Sequence, residues 1–461
     1  MCASVSSWKQ ERRILGESVT GGKGESGRDG HHVSSTVGTA ASPRRVLWGI
    51  LAVALALRVV AAVGVQSYLD GIPDRDFLIP GDANGYWQLA DRMAAGEDFA
   101  VHEPPRRIMR MPGFPAVLML AGGDFYAARL LLAVVGTVAC GLVFLLGREL
   151  IDETTGLFAA AVTAVSPSMI VFSVLILSET TFAATMLLSL LLMARYLRKL
   201  QIPGFSQKSG FWSGLLIGLA VAAACYIRPS WLLFGPAFAA FLIARKPKCP
   251  RAWVTAAAVP LGMAVALLPW AVRNYRVTGG KLVVTTLWVG PSLYDGLNPE
   301  ARGDSDMRFF VRDALPGRMT EYDLDRHYRR LAWEFVRVNP GRAVELGCIK
   351  LGRFWSPWPN AAQFRSPGII VGTTLFFLLT MLPAAYGAWR MRGRFGVLLL
   401  TAGPALYFSA IHAVFVGSIR YRLPAEYAVC ILTGLGLSVV WSVWRKSTSG
   451  GKNEAKNVDS R

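Results

Sequence analysis

The sequence predicts an all-α polytopic membrane protein with about ten transmembrane helices, and two observations carry that prediction. Of 461 residues, 53% are hydrophobic and only 17% charged, and the mean hydropathy is +0.38, more apolar than a soluble chain of this length carries. Apolar runs of about the length that crosses a hydrocarbon core also recur near 46–65, 128–147, 157–176, 181–196, 211–227, 230–244, 253–271, 368–389, 395–416 and 424–444.

Basic residues collect at alternate span ends. Arg44 and Arg45 precede the first span, and Arg195, Arg198, Lys199 and Lys208 follow the fourth. Arg245, Lys246, Lys248 and Arg251 follow the sixth, Arg390, Arg392 and Arg394 the eighth, Arg445 and Lys446 the tenth. Because Lys and Arg are retained on the cytoplasmic side of short loops, both termini are predicted cytoplasmic, in a cell (inner) membrane. The net charge of +19 lies in these collars and not in a stripe with interleaved aromatics, so membrane lipid is the expected partner and nucleic acid is not.

Residues 1–45 are rich in Ser, Gly, Thr and charge, which predicts a disordered cytoplasmic tail or an over-called start, without the apolar segment of a cleavable signal. Residues 445–461 form a second polar tail. The six cysteines show no paired spacing, and Cys140, Cys225 and Cys430 lie inside spans, so neither a disulfide framework nor a thiolate metal site is indicated. Between the tails the sequence divides into a transmembrane catalytic module, 46–271, with an outer loop at 66–127; an outer-face segment, 272–367; and C-terminal transmembrane helices, 368–444.

The first outer loop opens on Asp82, which is followed by Tyr86 and Leu89-Ala90 at helical spacing. Arg106, Arg107 and Arg110 then precede Met111-Pro112-Gly113-Phe114-Pro115 and a short apolar run, Ala116 to Leu120, read as an interfacial helix. Other arginines break the collar rule: Arg228-Pro229, Arg273-Asn274-Tyr275 and Arg420-Tyr421-Arg422-Leu423-Pro424 all fall on the outer side. Guanidinium groups bind phosphate bidentately and keep their charge when partly desolvated. Arg110, Arg228, Arg273 and Arg420 are therefore candidates to hold a lipid phosphate or pyrophosphate, with Asp82 acting on a nucleophile beside it.

Each residue has a plainer role available. Asp82 could cap a helix beginning near Asn84, Glu179 could favour the dipole of the span it opens, and Arg228 and Arg420 could reach up to headgroups. Arg273 and Asn274 could end a span. Arg58 lies inside the first span, where a charge is functional by default or else snorkels outward.

The second outer segment suggests a small α or α+β subdomain. Lys281 to Thr286 has strand-like content, Gly290 to Asp306 is rich in turn formers, and Tyr322 to Val338 reads as a helix ended by Asn339-Pro340. Trp288, Tyr294, Trp355 and Trp358 suit sugar stacking or the interfacial aromatic belt. His102 and His327 lack ligand-like neighbours at metal-site spacing, so no metal ligand is assigned and no cofactor is firmly predicted, with a divalent metal left open.

In order along the chain, Asp82 with Tyr86 and Leu89-Ala90, Arg110 to Pro115, Leu177-Ser178-Glu179, Arg228-Pro229, Pro269 to Tyr275, Gly296-Leu297-Asn298-Pro299 and Arg420 to Pro424 resemble the integral-membrane C-type glycosyltransferases. The branch is that of the protein mannosyltransferases and aminoarabinose lipid A transferases, and the resemblance spans about residues 45 to 445. It implies inverting transfer of a sugar from a polyprenyl phosphate to a glycan, lipid or protein acceptor at the outer face. Asp82 would be the base or acceptor-orienting acid, Glu179 a possible second acid, and Tyr86, Arg110, Arg228, Arg273, Asn274, Arg420 and Tyr421 would bind substrate. Many relatives carry a second acid directly after the first, whereas here Ala83 follows Asp82, which puts a carboxylate pair at that point in doubt. A polymerase or ligase of lipid-linked glycans, and a lipid-linked sugar flippase or transporter, remain the alternatives.

Overall fold

The computed structural model describes residues 42–200 and 207–458. Eighteen α-helices follow one another: α1 Pro43–Asp70, α2 Asp82–Ala94, α3 Gly113–Met119, α4 Phe125–Leu150, α5 Glu153–Val165, α6 Pro167–Phe172, α7 Glu179–Lys199, α8 Gln207–Ile227, α9 Phe234–Arg245, α10 Pro250–Val277, α11 Val289–Gly296, α12 Arg308–Arg312, α13 Glu321–Val338, α14 Pro340–Phe354, α15 Pro367–Arg390, α16 Phe395–Thr401, α17 Gly403–Val414 and α18 Ile419–Val458. Among the described residues there is no strand, only an isolated bridge between Val101 and Arg106. The protein is an all-α polytopic membrane protein.

Among the described residues seven helices are long and apolar enough to cross a membrane, or up to eight if α16 and α17, bent by 54° at Ala402, form one span. The other two predicted spans, 157–176 and 230–244, are the shorter apolar helices Glu153–Val165 and Pro229–Arg245. The reason at the first is Ser166-Pro167: proline has no N–H to donate to the Thr163 carbonyl four residues back, so α5 stops. Arg58 takes over that carbonyl. Fully buried, it donates to the Thr163 oxygen at 3.3 Å, the Ala164 oxygen at 3.2 Å and the Ala54 oxygen at 3.0 Å. It caps the broken helix from within the bundle and does not snorkel.

Without water inside a bilayer, helices associate through close packing, and small residues permit the closest approach. Gly210, Gly214 and Gly218, four apart on α8, face α10. A Cβ at Gly218 would stand 2.2 Å from the Val259 carbonyl oxygen, and one at Gly262 would stand 2.4 Å from that of Leu215. Elsewhere the interior is filled by large side chains: Trp231 is fully buried, stacks on Phe234 at 4.0 Å and donates its indole N–H to Ser189 at 3.2 Å.

The segment after α10 is helical where the sequence suggests turns, since Val289–Gly296 is a helix. Lys281 to Thr286 forms no strand and bends at Val284-Thr285. Its carbonyls are taken instead by side chains, Asn274 donating to Val283 and Thr285 at 3.0 Å each and Trp270 to Thr285 at 2.8 Å. Leu293, Leu297, Ala332, Phe335 and Leu346 make the small core that packs α11, α13 and α14 together. The expected helix over 322–338 is present as α13, with Asn339 at its C-cap.

The predicted tail 1–45 lies outside the described residues up to position 41, and α1 already begins at Pro43. At the other end α18 continues through Val458, so the stretch predicted as a tail from 445 is helical there.

Replacing Gly218 by Leu drives a side chain into backbone and is expected to cost at least ~2 kcal/mol, read as a lower melting temperature in detergent. An unchanged melting temperature would remove the α8–α10 contact from its place in holding the bundle.

Candidate functional site

Asp82 is the first residue of α2, behind Gly81, whose φ of +86° only glycine adopts readily. The capping oxygen comes from Asn84, which accepts the Gly81 N–H at 3.2 Å. Asp82 is thereby free of the cap. Its Oδ1 accepts from Arg110 Nη2 at 2.8 Å and its Oδ2 is 2.9 Å from Arg420 Nη1.

Arg110 reaches Asp82 across the first turn of α2. Its guanidinium lies 4.3 Å from the Tyr86 ring centroid, and a Cβ at Gly85 would come within 3.3 Å of its Nε. Gly85 and Tyr86 thus form the bed on which the arginine lies, while Tyr86 Oη is 3.5 Å from Ser178 Oγ.

Glu179 opens α7 and is completely buried. Its Oε1 accepts from Arg228 Nη1 at 2.9 Å and also from Arg420 Nε, while Oε2 is sealed without a partner. Arg420 therefore bridges the two acids, one on each side of its guanidinium. The Tyr421 ring supports this from beneath, 5.4 Å from Arg228 and 5.9 Å from Arg420, and stacks on His412 at 4.4 Å and 3°.

Three guanidiniums and two carboxylates leave the cluster with one net positive charge. Burial works to raise the Asp82 pKa, but the charges of Arg110 and Arg420 beside it outweigh that and hold the carboxyl well below the usual range. The same pairing holds Arg110 above its ordinary value despite burial. His102, on the neighbouring loop, is pushed down by burial and by Arg110 and Arg106.

Of the residues singled out in the sequence, Asp82, Tyr86, Arg110, Glu179, Arg228, Arg420 and Tyr421 converge. Arg273 and Asn274 do not join them. Arg273 donates to the Arg107 carbonyl at 2.6 Å and the Phe99 carbonyl at 3.3 Å and lies over Trp270. Asn274 holds the Val283 and Thr285 carbonyls, so both tie the end of α10 to its loops. The cluster also draws on Arg420, 241 residues beyond Glu179, so the segment 46–271 does not contain it entire. Among the described residues no three His, Cys, Asp or Glu side chains gather into a metal-binding group.

Sequence reading passed over Gly85, Ser178 and His412. Ser178 lay within a motif already noted, but nothing in one sequence marks a glycine as the bed of an arginine, or a histidine as the stacking partner of Tyr421.

The family model described as dolichyl-phosphate-mannose-protein mannosyltransferase matches residues 114–272, a stretch holding Glu179 and Arg228, and in sequence and fold the chain resembles the integral-membrane C-type glycosyltransferases. Among solved structures, the apo oligosaccharyltransferase of Archaeoglobus fulgidus is similar with a TM-score of 0.51 at 17% identity, over 88% of this chain and 52% of that one. The Archaeoglobus fulgidus AglB complex with an inhibitory peptide and a dolichol-phosphate gives 0.47 at 13%, over 88% and 52%. ArnT from Cupriavidus metallidurans bound to undecaprenyl phosphate gives 0.40 at 17%, over 86% and 78%. The chain spans about half the length of the archaeal oligosaccharyltransferases it matches. No curated protein matches it.

Substituting Glu179 by Gln leaves Arg228 and Arg420 short of a buried counter-charge and is expected to cost about 3 kcal/mol of stability. A thermal melt in lipid nanodiscs reads this directly, and a variant as stable as wild type would mean that the ion pairs contribute nothing net.

Proposed function

We propose that this protein is a membrane glycosyltransferase that moves a sugar from a polyprenyl-phosphate donor to an acceptor at the outer face of the membrane, with inversion at the sugar. The observation that carries the reading is Arg420 held between Asp82 and Glu179, with Arg110 and Arg228 completing the ring. Basic collars at the opposite span ends support the outward orientation and a cell membrane with both termini cytoplasmic, and the family description of the matched stretch supports a polyprenyl phosphate donor.

The net single positive charge suits a phosphodiester monoanion better than a pyrophosphate, which favours this donor over that of a lipid-linked glycan polymerase or ligase. A transporter would carry its ionisable groups at the bilayer midplane, yet both terminal nitrogens of Arg58 are taken up by backbone carbonyls.

In the resting protein the two acids are paired with the three arginines and offset two of their charges, and a carboxylate held that acidic is a weak base. Donor phosphate resolves this, because it competes for Arg110 and Arg420 and frees Asp82. The acceptor hydroxyl then gives its proton to Asp82 while its oxygen bonds to the anomeric carbon. The bond from that carbon to the phosphate oxygen breaks, and the electron pair leaves on a phosphate that Arg228 and Arg420 stabilise as its charge grows. Tyr86 and Tyr421 position the arginines, and the segment 272–367 supplies the acceptor side.

Sugar release from a panel of radiolabelled polyprenyl-phosphate sugars, with a broad acceptor extract, tests the reading. Turnover with one donor that falls at least about a hundredfold in Asp82→Asn is the expected result, and undiminished turnover would move the base elsewhere.

The pH dependence has a definite sign. In the free enzyme Asp82 stays ionised through the ordinary carboxylate range, so kcat/KM should lack an acid limb from this group between about pH 5 and 7. With donor bound and the arginines drawn off, its pKa rises and the acid limb of kcat should lie at higher pH than that of kcat/KM. A kcat limb at or below the kcat/KM limb would contradict the exchange of partners.

A further inference from the structure

One buried cation takes no part in the cluster. Arg106 is only 5% exposed, yet no carboxylate lies within 4 Å of its guanidinium among the described residues, and its side chain donates no hydrogen bond. Nη2 is sealed without a partner. Its guanidinium lies 5.6 Å from the centroid of the Phe310 ring. Glu321 is close enough to act on it electrostatically, but its two oxygens are committed to the backbone N–H groups of Arg107 at 2.6 Å and Ile108 at 3.0 Å.

Other buried cations each donate at least one hydrogen bond: Arg58 to three carbonyls, although its Nε is sealed without a partner, Arg129 to Gln66 and the Asp76 carbonyl, and Lys350 to the Val414 carbonyl. A guanidinium on a buried side chain with no counter-charge and one nitrogen sealed from solvent is costly, and at its high intrinsic pKa it cannot escape by losing a proton. An anion seated there removes the penalty.

The placement says which anion. Arg106 stands four residues before Arg110, and the exposed His102, with a φ of +66°, feels the charge of both. The opposite wall is the subdomain of α12 and α13, through Phe310 and Tyr328. Arg106 thus stands between Arg110, which holds Asp82, and the segment assigned to the acceptor.

We propose that Arg106 anchors a second anion-binding site, between the 95–112 loop and the α12–α13 subdomain, which takes a carboxylate or phosphate group carried by the acceptor. The assignment to the acceptor rests on the glycosyl-transfer reading, while the anion site itself does not.

The test uses the full chain in neutral-lipid nanodiscs, with inorganic phosphate and acetate as probes and thermal stabilisation as the readout. Working in Arg420→Gln weakens the cluster as a phosphate site, so that stabilisation which persists there and depends on Arg106 belongs to the second site. Saturable stabilisation by either anion that persists in R420Q and needs at least about tenfold more anion after adding R106M is the expected result. R106K should bind more weakly than Arg106 but better than R106M. Without anion, R106M should melt no lower than Arg106, because an unpaired buried charge has been removed. Stabilisation unchanged by R106M, no stabilisation of the R420Q protein by either anion, or a lower melt for R106M without anion would each overturn the proposal. None of these outcomes involves donor turnover, so failure here leaves the glycosyltransferase reading standing, and the converse holds.

Discussion

Two carboxylates at one end of a membrane bundle are tolerable only if something positive stands between them, and Arg420 is that group. One edge of its guanidinium meets Asp82 and another meets Glu179. The requirement reaches outward through the fold. The Gly81 turn and Asn84 free Asp82 from capping, the fully buried start of α7 presents Glu179, and the first turn of α18 delivers Arg420 from far along the chain. Each helix contributing to the cluster does so within a turn of its end, which is where a bundle can hold charge without drawing it into hydrocarbon.

On the proposed reading the same arrangement sets the chemistry. Acids that pair with arginines in the resting state make the site a poor base and a latent phosphate receptor at once, so that binding of a lipid phosphate and activation of Asp82 would be one event. Tyr86 and Tyr421 matter because they fix the planes of Arg110, Arg228 and Arg420, and a guanidinium already oriented loses less freedom on meeting phosphate.

Much of this could be read from the residues alone, because membrane physics leaves few options. Arginines on the side where collars are absent needed an anion, and Arg110, Arg228 and Arg420 do meet carboxylates. Arg273 obeyed the same pattern and yet holds loop carbonyls, since an arginine that ends a span and one that binds a ligand look alike until their neighbours are known. Leu282, Val283 and Val284 read as a strand by content, but pairing is a tertiary property, and here side chains of Trp270 and Asn274 supply the donors. The break after α5 is legible at Ser166-Pro167, whereas its rescue by Arg58, 105 residues away, is not. Nor does the sequence distinguish Arg106 from Arg107, although the first is buried without a partner and the second pairs with Asp98 at 2.5 Å.

The central claim is that Asp82 competes with phosphate for the arginines, and its sign can be measured. Equilibrium binding of a short-chain polyprenyl phosphate to wild type and Asp82→Asn, both in neutral-lipid nanodiscs, isolates that competition from catalysis. Tighter binding by the variant, by about tenfold for the loss of one competing charge-assisted contact, is what the account requires. Binding that is weaker or unchanged in Asp82→Asn would show that the acid does not hold the arginines against the donor, and the exchange of partners would have to be abandoned.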